Sequence, residues 1–244
     1  MLDGSTFSRE LWRFSVLIGT WAQELAAGPA AAHGSRMVAV GRKLYVFGGA
    51  PALDARMWVF DTLAGTWSSI ASIYAGRSYH TMTRVDTGLF IYGGAASLTA
   101  ALPQLLKFDL SADAFNAPTT SGAEPSIRIE HSMAPYFTHL YLFGGILLLD
   151  GSFDSAVYEL DCTSLTWRAM ATTGLRLRGR RGHTASVMGC SMYIFGGVDA
   201  DGHYQNSVYI LDLRSFQWSK PLAIGTPPAA RWGCCGPRRT LWPI

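Results

Sequence analysis

Residues 140–167 read LYLFGGILLLDGSFDSAVYELDCTSLTW. Two features of this stretch recur along the chain: a glycine doublet that ends a short apolar run, and an aspartate with an aromatic residue six positions later. The four doublets are Gly48-Gly49, Gly93-Gly94, Gly144-Gly145 and Gly196-Gly197. Their first glycines are 45, 51 and 52 residues apart. A period of about 50 residues indicates a repeat architecture.

Each repeat contains two strand signals. The apolar run before every doublet is rich in β-branched and aromatic residues, which is typical of a strand buried on both faces. A second short run ends at the aspartate, and an aspartate can close a turn onto its own backbone, so a hairpin is expected there. The four pairs are Asp61 with Trp67, Asp109 with Phe115, Asp161 with Trp167, and Asp212 with Trp218.

A third element precedes the doublets. Arginine and histidine recur three residues apart, as Arg77 and His80, Arg128 and His131, and Arg180 and His183, and each histidine lies 13 residues before the first glycine. In the first repeat the two residue types look exchanged, as His33 and Arg36. Together these elements give four short strands per repeat. The combination resembles the Kelch repeat of β-propellers and covers roughly residues 11–235.

This resemblance implies an all-β fold, a β-propeller of Kelch-type four-stranded blades with four full blades and partial blades at both ends. A blade cannot cover two apolar faces alone, so neighbouring blades must stack face to face. The paired aromatics are then expected to fill the space between blades. We expect one domain over residues 1–244, divided as follows: a partial blade 11–25, blades at about 29–70, 71–118, 123–170 and 176–222, a repeat start at 228–236 and a divergent tail at 235–244.

The repeats at the two ends of the chain bear on whether the propeller closes into a full circle. Residues 11–15 with Trp21 match the third and fourth strands of a repeat, with Ser15 in place of the aspartate. Arg231 to Cys234 match the start of another repeat, with cysteine in place of histidine. Joining these ends makes a fifth blade without its second strand, so we expect an incomplete circle. The resulting hypothesis is a truncated or alternatively ended form of a longer chain.

Composition excludes several classes of protein. The net charge is only +3 and 15% of the residues are charged, which argues against a disordered chain and gives little support to nucleic-acid binding. No apolar run approaches the roughly 20 residues needed to span a bilayer, and no secretory signal is visible, so a cytoplasmic location is predicted. We expect free thiols at the four cysteines, Cys162, Cys190, Cys234 and Cys235.

The recurring histidines are the first candidates for metal ligands. His80, His131 and His183 occupy the same place in their own repeats, which predicts a hydrogen-bonding role in the scaffold rather than a metal set. Of the others, only His203 is left for a functional role. No cofactor or metal is therefore predicted. The basic stretch from Arg176 to His183 is interpreted as a solvated loop, with an acidic protein partner left open.

The loops after the second and fourth strands of an up-and-down blade emerge at one end of the propeller. They differ between repeats while the strands recur, so they are the expected recognition surface. The residues predicted to bind a protein are Arg56, Asp150, Phe153, Arg176, Arg178, His203 and Tyr204.

The predicted function is a non-catalytic scaffold or adaptor that binds another protein, with self-association through unclosed blades as a second interaction. Two alternatives stay open. The first is a Kelch-type metalloenzyme or oxidase, since copper radical oxidases share this resemblance. The second is a truncated fragment without independent activity.

Overall fold

The computed structural model describes residues 7–96, 105–222 and 224–230. Throughout these ranges the regular secondary structure consists of β-strands, which confirms the predicted all-β fold. The chain begins with an antiparallel hairpin of β1 (Leu11–Ser15) and β2 (Thr20–Glu24). The repeat start predicted at residues 228–236 falls mostly outside the described residues, and the tail 235–244 falls wholly outside them.

Two four-stranded antiparallel sheets follow the hairpin. Blade 1 consists of β3 (Arg36–Val40), β4 (Lys43–Phe47), β5 (Met57–Asp61) and β6 (Thr66–Ile70). Blade 2 consists of β7 (Thr81–Val85), β8 (Gly88–Tyr92), β9 (Leu105–Asp109) and β10 (Ala114–Asn116). In both blades each strand pairs with the next along the chain, as expected for an up-and-down order.

Blades 3 and 4 contain the same four antiparallel strands and one short addition each. Blade 3 comprises β11 (Ser121–Gly122), β13 (Ser132–Tyr136), β14 (His139–Phe143), β16 (Val157–Asp161) and β17 (Thr166–Met170). Blade 4 comprises β18 (Thr173–Gly174), β20 (Thr184–Met188), β21 (Ser191–Phe195), β23 (Val208–Asp212) and β24 (Gln217–Ser219).

The additional strands β11 and β18 depart from the predicted four strands per blade. Each pairs in parallel with the outermost strand of its blade, β17 or β24. Gly122 and Gly174 make this possible because both have positive φ, at 83° and 80°, and lie against the backbone carbonyl of a tryptophan. A side chain at either glycine would collide with that carbonyl. The connection between blades is therefore held to the blade that follows it.

The predicted turns after the aspartates are confirmed in all four blades. In blade 3, one carboxylate oxygen of Asp161 accepts hydrogen bonds from the N–H groups of Thr163 and Ser164, at 2.8 and 3.2 Å. The other three aspartates, Asp61, Asp109 and Asp212, bond the equivalent pairs of backbone N–H groups. These bonds fix the hairpin and bring the aromatic residue opposite the position before the aspartate, as in the Leu160–Trp167 pair.

The apolar core lies between blades rather than inside them. Three clusters of buried residues each join two successive blades: blades 1 and 2, blades 2 and 3, and blades 3 and 4. Trp167 is 1% exposed and packs on Tyr92 of blade 2, with 5.0 Å between ring centroids. Trp218 and Phe115 pack in the same way on blades 3 and 1. The predicted role between blades is confirmed for these three aromatics. The fourth, Trp67, is half-buried and packs on Trp58 and Phe60 of its own blade instead.

A hydrogen-bonded joint connects each blade to the next. Within a blade, the guanidinium of the recurring arginine donates to the carbonyl of the first glycine, as from Arg128 to Gly144 at 3.1 Å. Between blades, the N–H of the second glycine donates to the carbonyl of the next arginine, as from Gly94 to Arg128 at 2.9 Å. The same two bonds recur at Arg77 and Arg180.

A chain of backbone hydrogen bonds also runs around the axis, through the residue before each recurring histidine and through Gly34, its counterpart in the first repeat. The N–H of Tyr79 donates to the carbonyl of Gly34, that of Glu130 to Tyr79, and that of Gly182 to Glu130, at 2.8, 3.1 and 2.9 Å. All four residues have φ between 57° and 69°. This left-handed backbone conformation turns successive peptide groups toward the neighbouring blade.

The prediction that arginine and histidine exchange places in the first repeat is wrong. The strand register aligns Arg36 with Thr81, because these residues pair with Phe47 and Tyr92, which directly precede their doublets. His33 takes the place of Ser78 instead, since both form a bridge to the residue after the doublet. The places of arginine and histidine in blade 1 are held by Ala32 and Ser35. Their side chains are small and common, so the sequence pattern does not identify these positions.

We predict that Trp167→Ala lowers the free energy of unfolding by about 3–5 kcal/mol, because it empties the space between blades 2 and 3. Trp21→Ala is the matched control, since Trp21 holds the same repeat position in the hairpin but is 66% exposed. We expect this control to cost about 0.5 kcal/mol. Equal shifts in the urea midpoints of the two variants would contradict the packing described.

A second pair of variants tests the joint. Gly93 and Gly189 have similar φ, at 64° and 60°, but a Cβ at Gly93 would lie 2.6 Å from the carbonyl oxygen of Arg128, whereas the space around Gly189 is open. Gly189→Ala should cost about 1–2 kcal/mol for the left-handed backbone alone. Gly93→Ala should cost a further 1–3 kcal/mol or so, because the blades must separate. Urea denaturation of both proteins measures the difference.

Candidate functional site

Where the structure describes them, the loops that were expected to share one end of the propeller do so; residues 97–104 of the blade 2 loop lie outside the described ranges. The segment entering each blade pairs with the loop after that blade's second strand, through the bridges His33–Ala50 and Ser78–Ala95 in blades 1 and 2. In blades 3 and 4 the same contact is a short antiparallel pair. These pairs are β12 (Arg128–Ile129) with β15 (Ile146–Leu147), and β19 (Arg180–Arg181) with β22 (Val198–Asp199). We call this end the loop face.

A cleft of about 550 Å³ opens on the loop face between blades 3 and 4. Three of the seven residues predicted from the sequence, Phe153, Arg176 and Arg178, lie in its wall. The complete lining is Phe153, Ser155, Arg176, Arg178, Gly179, Ala200 and Asp201. Two guanidinium groups and a single carboxylate therefore face the cleft, along with one aromatic ring.

Alternation along the connection between the blades directs the two arginines outward. Leu177 is buried in the core between blades 3 and 4, so its neighbours Arg176 and Arg178 point to the opposite side. Gly179 follows at the floor, where a Cβ would lie 2.6 Å from the carbonyl oxygens of both Phe153 and Asp154. This close approach fixes the arginines beside the loop that carries Phe153.

Of the four lining residues that sequence reasoning missed, Asp201 is the charged one. Its carboxylate accepts a hydrogen bond at 2.8 Å from Nη1 of Arg178, and the two side chains are 56% and 74% exposed. The spacing Asp199-Ala-Asp201-Gly-His203 carried the available signal, because closely spaced aspartates around a glycine often form a tight loop.

Asp199, Asp201 and His203 bring their ligand atoms within 4.8 Å of one another. One oxygen of Asp199 already accepts hydrogen bonds from the N–H groups of Asp201 and His203, at 3.1 and 2.9 Å. Its other oxygen accepts one from the side chain of Gln205 at 2.9 Å, and Asp201 is engaged by Arg178. The arrangement is therefore that of a loop closed by its own donors, and we assign no metal to it.

The other four predicted residues lie on the loop face but are not among those lining the cleft. Arg56 forms a bidentate pair with Asp54, at 2.8 and 3.0 Å, and stacks over the Trp58 ring. Burial raises the pKa of Asp54, but hydrogen bonds from Arg56 and Trp58 outweigh it and hold the pKa at about 2. Asp150 accepts two hydrogen bonds from Ser152. His203 and Tyr204 are exposed on the blade 4 loop.

The scaffold role predicted for the recurring histidines is confirmed at two joints. Nε2 of His131 lies 3.1 Å from the Thr81 hydroxyl of blade 2, and Nε2 of His183 lies 2.7 Å from the Ser132 hydroxyl of blade 3. At the first joint the predicted hydrogen bond is not formed: Arg36 stands in the place of that hydroxyl, and neither ring nitrogen of His80 has a hydrogen-bond partner among the described residues. Each ring packs edge-on against the aromatic residue before the preceding doublet, namely Phe47, Tyr92 or Phe143.

Complete burial keeps these histidines neutral. It lowers the pKa of His80 and of His131 well below the usual value, and nearby arginine charges lower them further. Burial likewise lowers the pKa of His183 to about 3. Protonation therefore costs free energy in the folded state that it does not cost in the unfolded chain.

We predict an acid-sensitive stability between about pH 6.5 and pH 4.5, above the range in which most carboxylates titrate. The unfolded chain binds more protons there than the folded one, so the free energy of unfolding falls as pH falls, by up to about 1.4 kcal/mol per pH unit for each histidine. Urea denaturation across this window measures the slope. His183→Gln should reduce the slope by about one histidine's share, because it removes one buried imidazole. A slope equal to that of the wild type would contradict the assignment.

The fold and the joints define a Kelch-type β-propeller. The sequence matches the family model described as the KLHDC2/KLHL20/DRC7 Kelch-repeats domain, over residues 2–137 and 130–236. The chain therefore belongs to the Kelch-repeat family. The proteins of this family are generally protein-interaction scaffolds.

Several curated proteins are similar to most of this chain. Kelch domain-containing protein 3 of Bos taurus is 27% identical over 229 residues, which are 85% of this chain and 60% of that protein. Host cell factor 2 of Homo sapiens is 28% identical over 83% of this chain and 28% of its own length. Tip elongation aberrant protein 1 of Schizosaccharomyces pombe is 29% identical over 74% of this chain and 16% of its own. The chain thus spans about 60% of the bovine relative.

Within the described ranges, no helix is long enough and apolar enough to cross a membrane.

Proposed function

We propose that this protein is a non-catalytic scaffold or adaptor that binds another protein through the loop face. The observation that carries the proposal is that the recurring residues form the contacts between blades, whereas the variable residues lie exposed in the loops. The arginines, glycine doublets and histidines that recur are engaged in the joints. The loops between them differ in length and charge and present exposed side chains on a rigid frame, as binding surfaces do.

A catalytic role draws no support from the recurring histidines. A metal-dependent oxidase needs several ligands that converge on one point, but His80, His131 and His183 each lie in a different joint against an aromatic ring. The buried hydroxyl partners of His131 and His183 further tie those two rings to the frame. Self-association through blade faces, the single-domain boundaries and a cytoplasmic location stay predictions.

We predict that partners depend on the loop face. The test is proximity labelling in cells with the full chain, comparing the wild type with the double variant Arg56→Glu/Tyr204→Ala. The matched control is Arg84→Glu/Arg214→Glu, because these exposed arginines lie at the turns of the opposite end. Proteins labelled by the wild type should be lost from the loop-face variant and kept in the control.

Two results would contradict the proposal. One is labelling that depends on the opposite end, or on neither end, in variants whose thermal unfolding matches the wild type. The other is stoichiometric copper or iron in the purified protein, which would favour the metalloenzyme alternative.

A further inference from the structure

We propose that the cleft between blades 3 and 4 binds an acidic segment of a partner protein, with a side-chain carboxylate held by Arg176 and Arg178 and an apolar neighbour packed on Phe153. This inference deepens the proposed function, because it assigns a partner chemistry to one part of the loop face. It rests on three observations: the place of the arginines in the repeat, their free donors and the shape of the cleft.

The two arginines are specific to one connection between blades. Arg176 and Arg178 lie four and two residues before the recurring Arg180. The equivalent positions before Arg77 and Arg128 hold, in order, Ile73 and Ala75, and Glu124 and Ser126. At those positions the connections into blades 2 and 3 form without a basic residue. Its construction therefore does not require the cations at the cleft, which leaves them for recognition.

Both guanidinium groups have donors to offer. Among the described residues, Arg176 has no hydrogen-bond or ion-pair partner. Arg178 uses Nη1 for Asp201, and no other nitrogen of its side chain is bonded within the described ranges. A planar guanidinium binds a carboxylate best through two parallel hydrogen bonds, a geometry that neither arginine has used. The nearby carboxylate of Asp154 does not compete, because it is paired with the buried Arg128 at 2.9 Å.

The cleft fits a peptide better than a single ion. Its volume of about 550 Å³ lies within the roughly 300–1,000 Å³ typical of ligand sites. The half-buried Phe153 ring and Ala200 provide apolar wall, and Gly179 keeps the floor free of side chains. An aromatic surface next to two arginines matches a segment in which acidic and apolar residues alternate.

Asp201 has a defined part in this arrangement. Its carboxylate already occupies one arginine, so an incoming carboxylate must compete with it for Arg178. The pair is exposed, and exposed ion pairs stabilise a protein only weakly because water screens their charges, so displacement costs little. Removing the charge of Asp201 should therefore strengthen binding of an acidic segment, which a purely structural pair would not do.

Isothermal titration calorimetry of the full chain tests the proposal. The probe is the peptide Glu-Leu-Glu-Leu-Glu, acetylated and amidated so that it has no terminal charge. Its control is the same peptide with glutamine in place of glutamate. We expect the acidic peptide to bind at least about tenfold more tightly than the glutamine peptide at low salt, and more weakly as salt screens the charges.

Three variants make the test specific. Arg176→Glu/Arg178→Glu should weaken binding of the acidic peptide at least tenfold, whereas Arg84→Glu/Arg214→Glu, with the same change in net charge, should leave it within about twofold. Asp201→Asn should tighten it severalfold. Thermal unfolding of each variant verifies that it is folded.

The proposal is overturned if the acidic peptide gives no binding at millimolar concentration, if both double variants weaken it equally, or if Asp201→Asn has no effect. It is also overturned if a neutral peptide with a free carboxyl terminus binds and the acidic one does not. Proximity labelling separates this failure from that of the proposed function. Partners lost from Arg56→Glu/Tyr204→Ala but kept in Arg176→Glu/Arg178→Glu would leave the scaffold role intact without the acidic site.

Discussion

The hydrogen bond from the second glycine of a doublet to the arginine carbonyl of the next blade places every other contact between blades. In the bond from Gly145 to Arg180, the two backbones come so close that no side chain fits at the preceding Gly144. The histidine that follows, His183, then lies against the ring of Phe143, and the interblade core closes below it. A repeat of about 50 residues is kept in register because these few backbone groups must meet.

Much of this fold could be predicted from the sequence because the joint demands particular residues. Only glycine satisfies the positive φ and the close approach at Gly93 and Gly94, and an aspartate such as Asp109 supplies the turn at a constant distance from its aromatic. The register of the first repeat could not be predicted, since Ala32 and Ser35 fill those places without a recognisable side chain. Backbone geometry decides which residue lies in a joint. The sequence reveals such a position only where the geometry excludes all but one residue type.

The site was only partly predictable for a related reason. Arg176 and Arg178 are conspicuous as a basic cluster, and the alternation with Leu177 shows how the strand-like connection directs them outward. That Phe153 lies beside them depends on how two loops from adjacent blades approach, a tertiary relation without a local signal. Asp201 was missed for the same reason, because its partner lies 23 residues earlier in the chain. Charges in variable loops become a site only when the frame brings the loops together.

The chain of backbone hydrogen bonds around the axis, from Gly34 through Tyr79 and Glu130 to Gly182, has a further consequence for how such proteins evolve. Every link uses the same backbone donor and acceptor, so the junction made by one blade is chemically interchangeable with that made by another. Unequal recombination between two repeats would produce a chain with one blade more or fewer and with junctions of unaltered chemistry. Gain or loss of a whole blade would then preserve this chain of backbone hydrogen bonds, and the side chains packed at the new interface are the ones that selection must match.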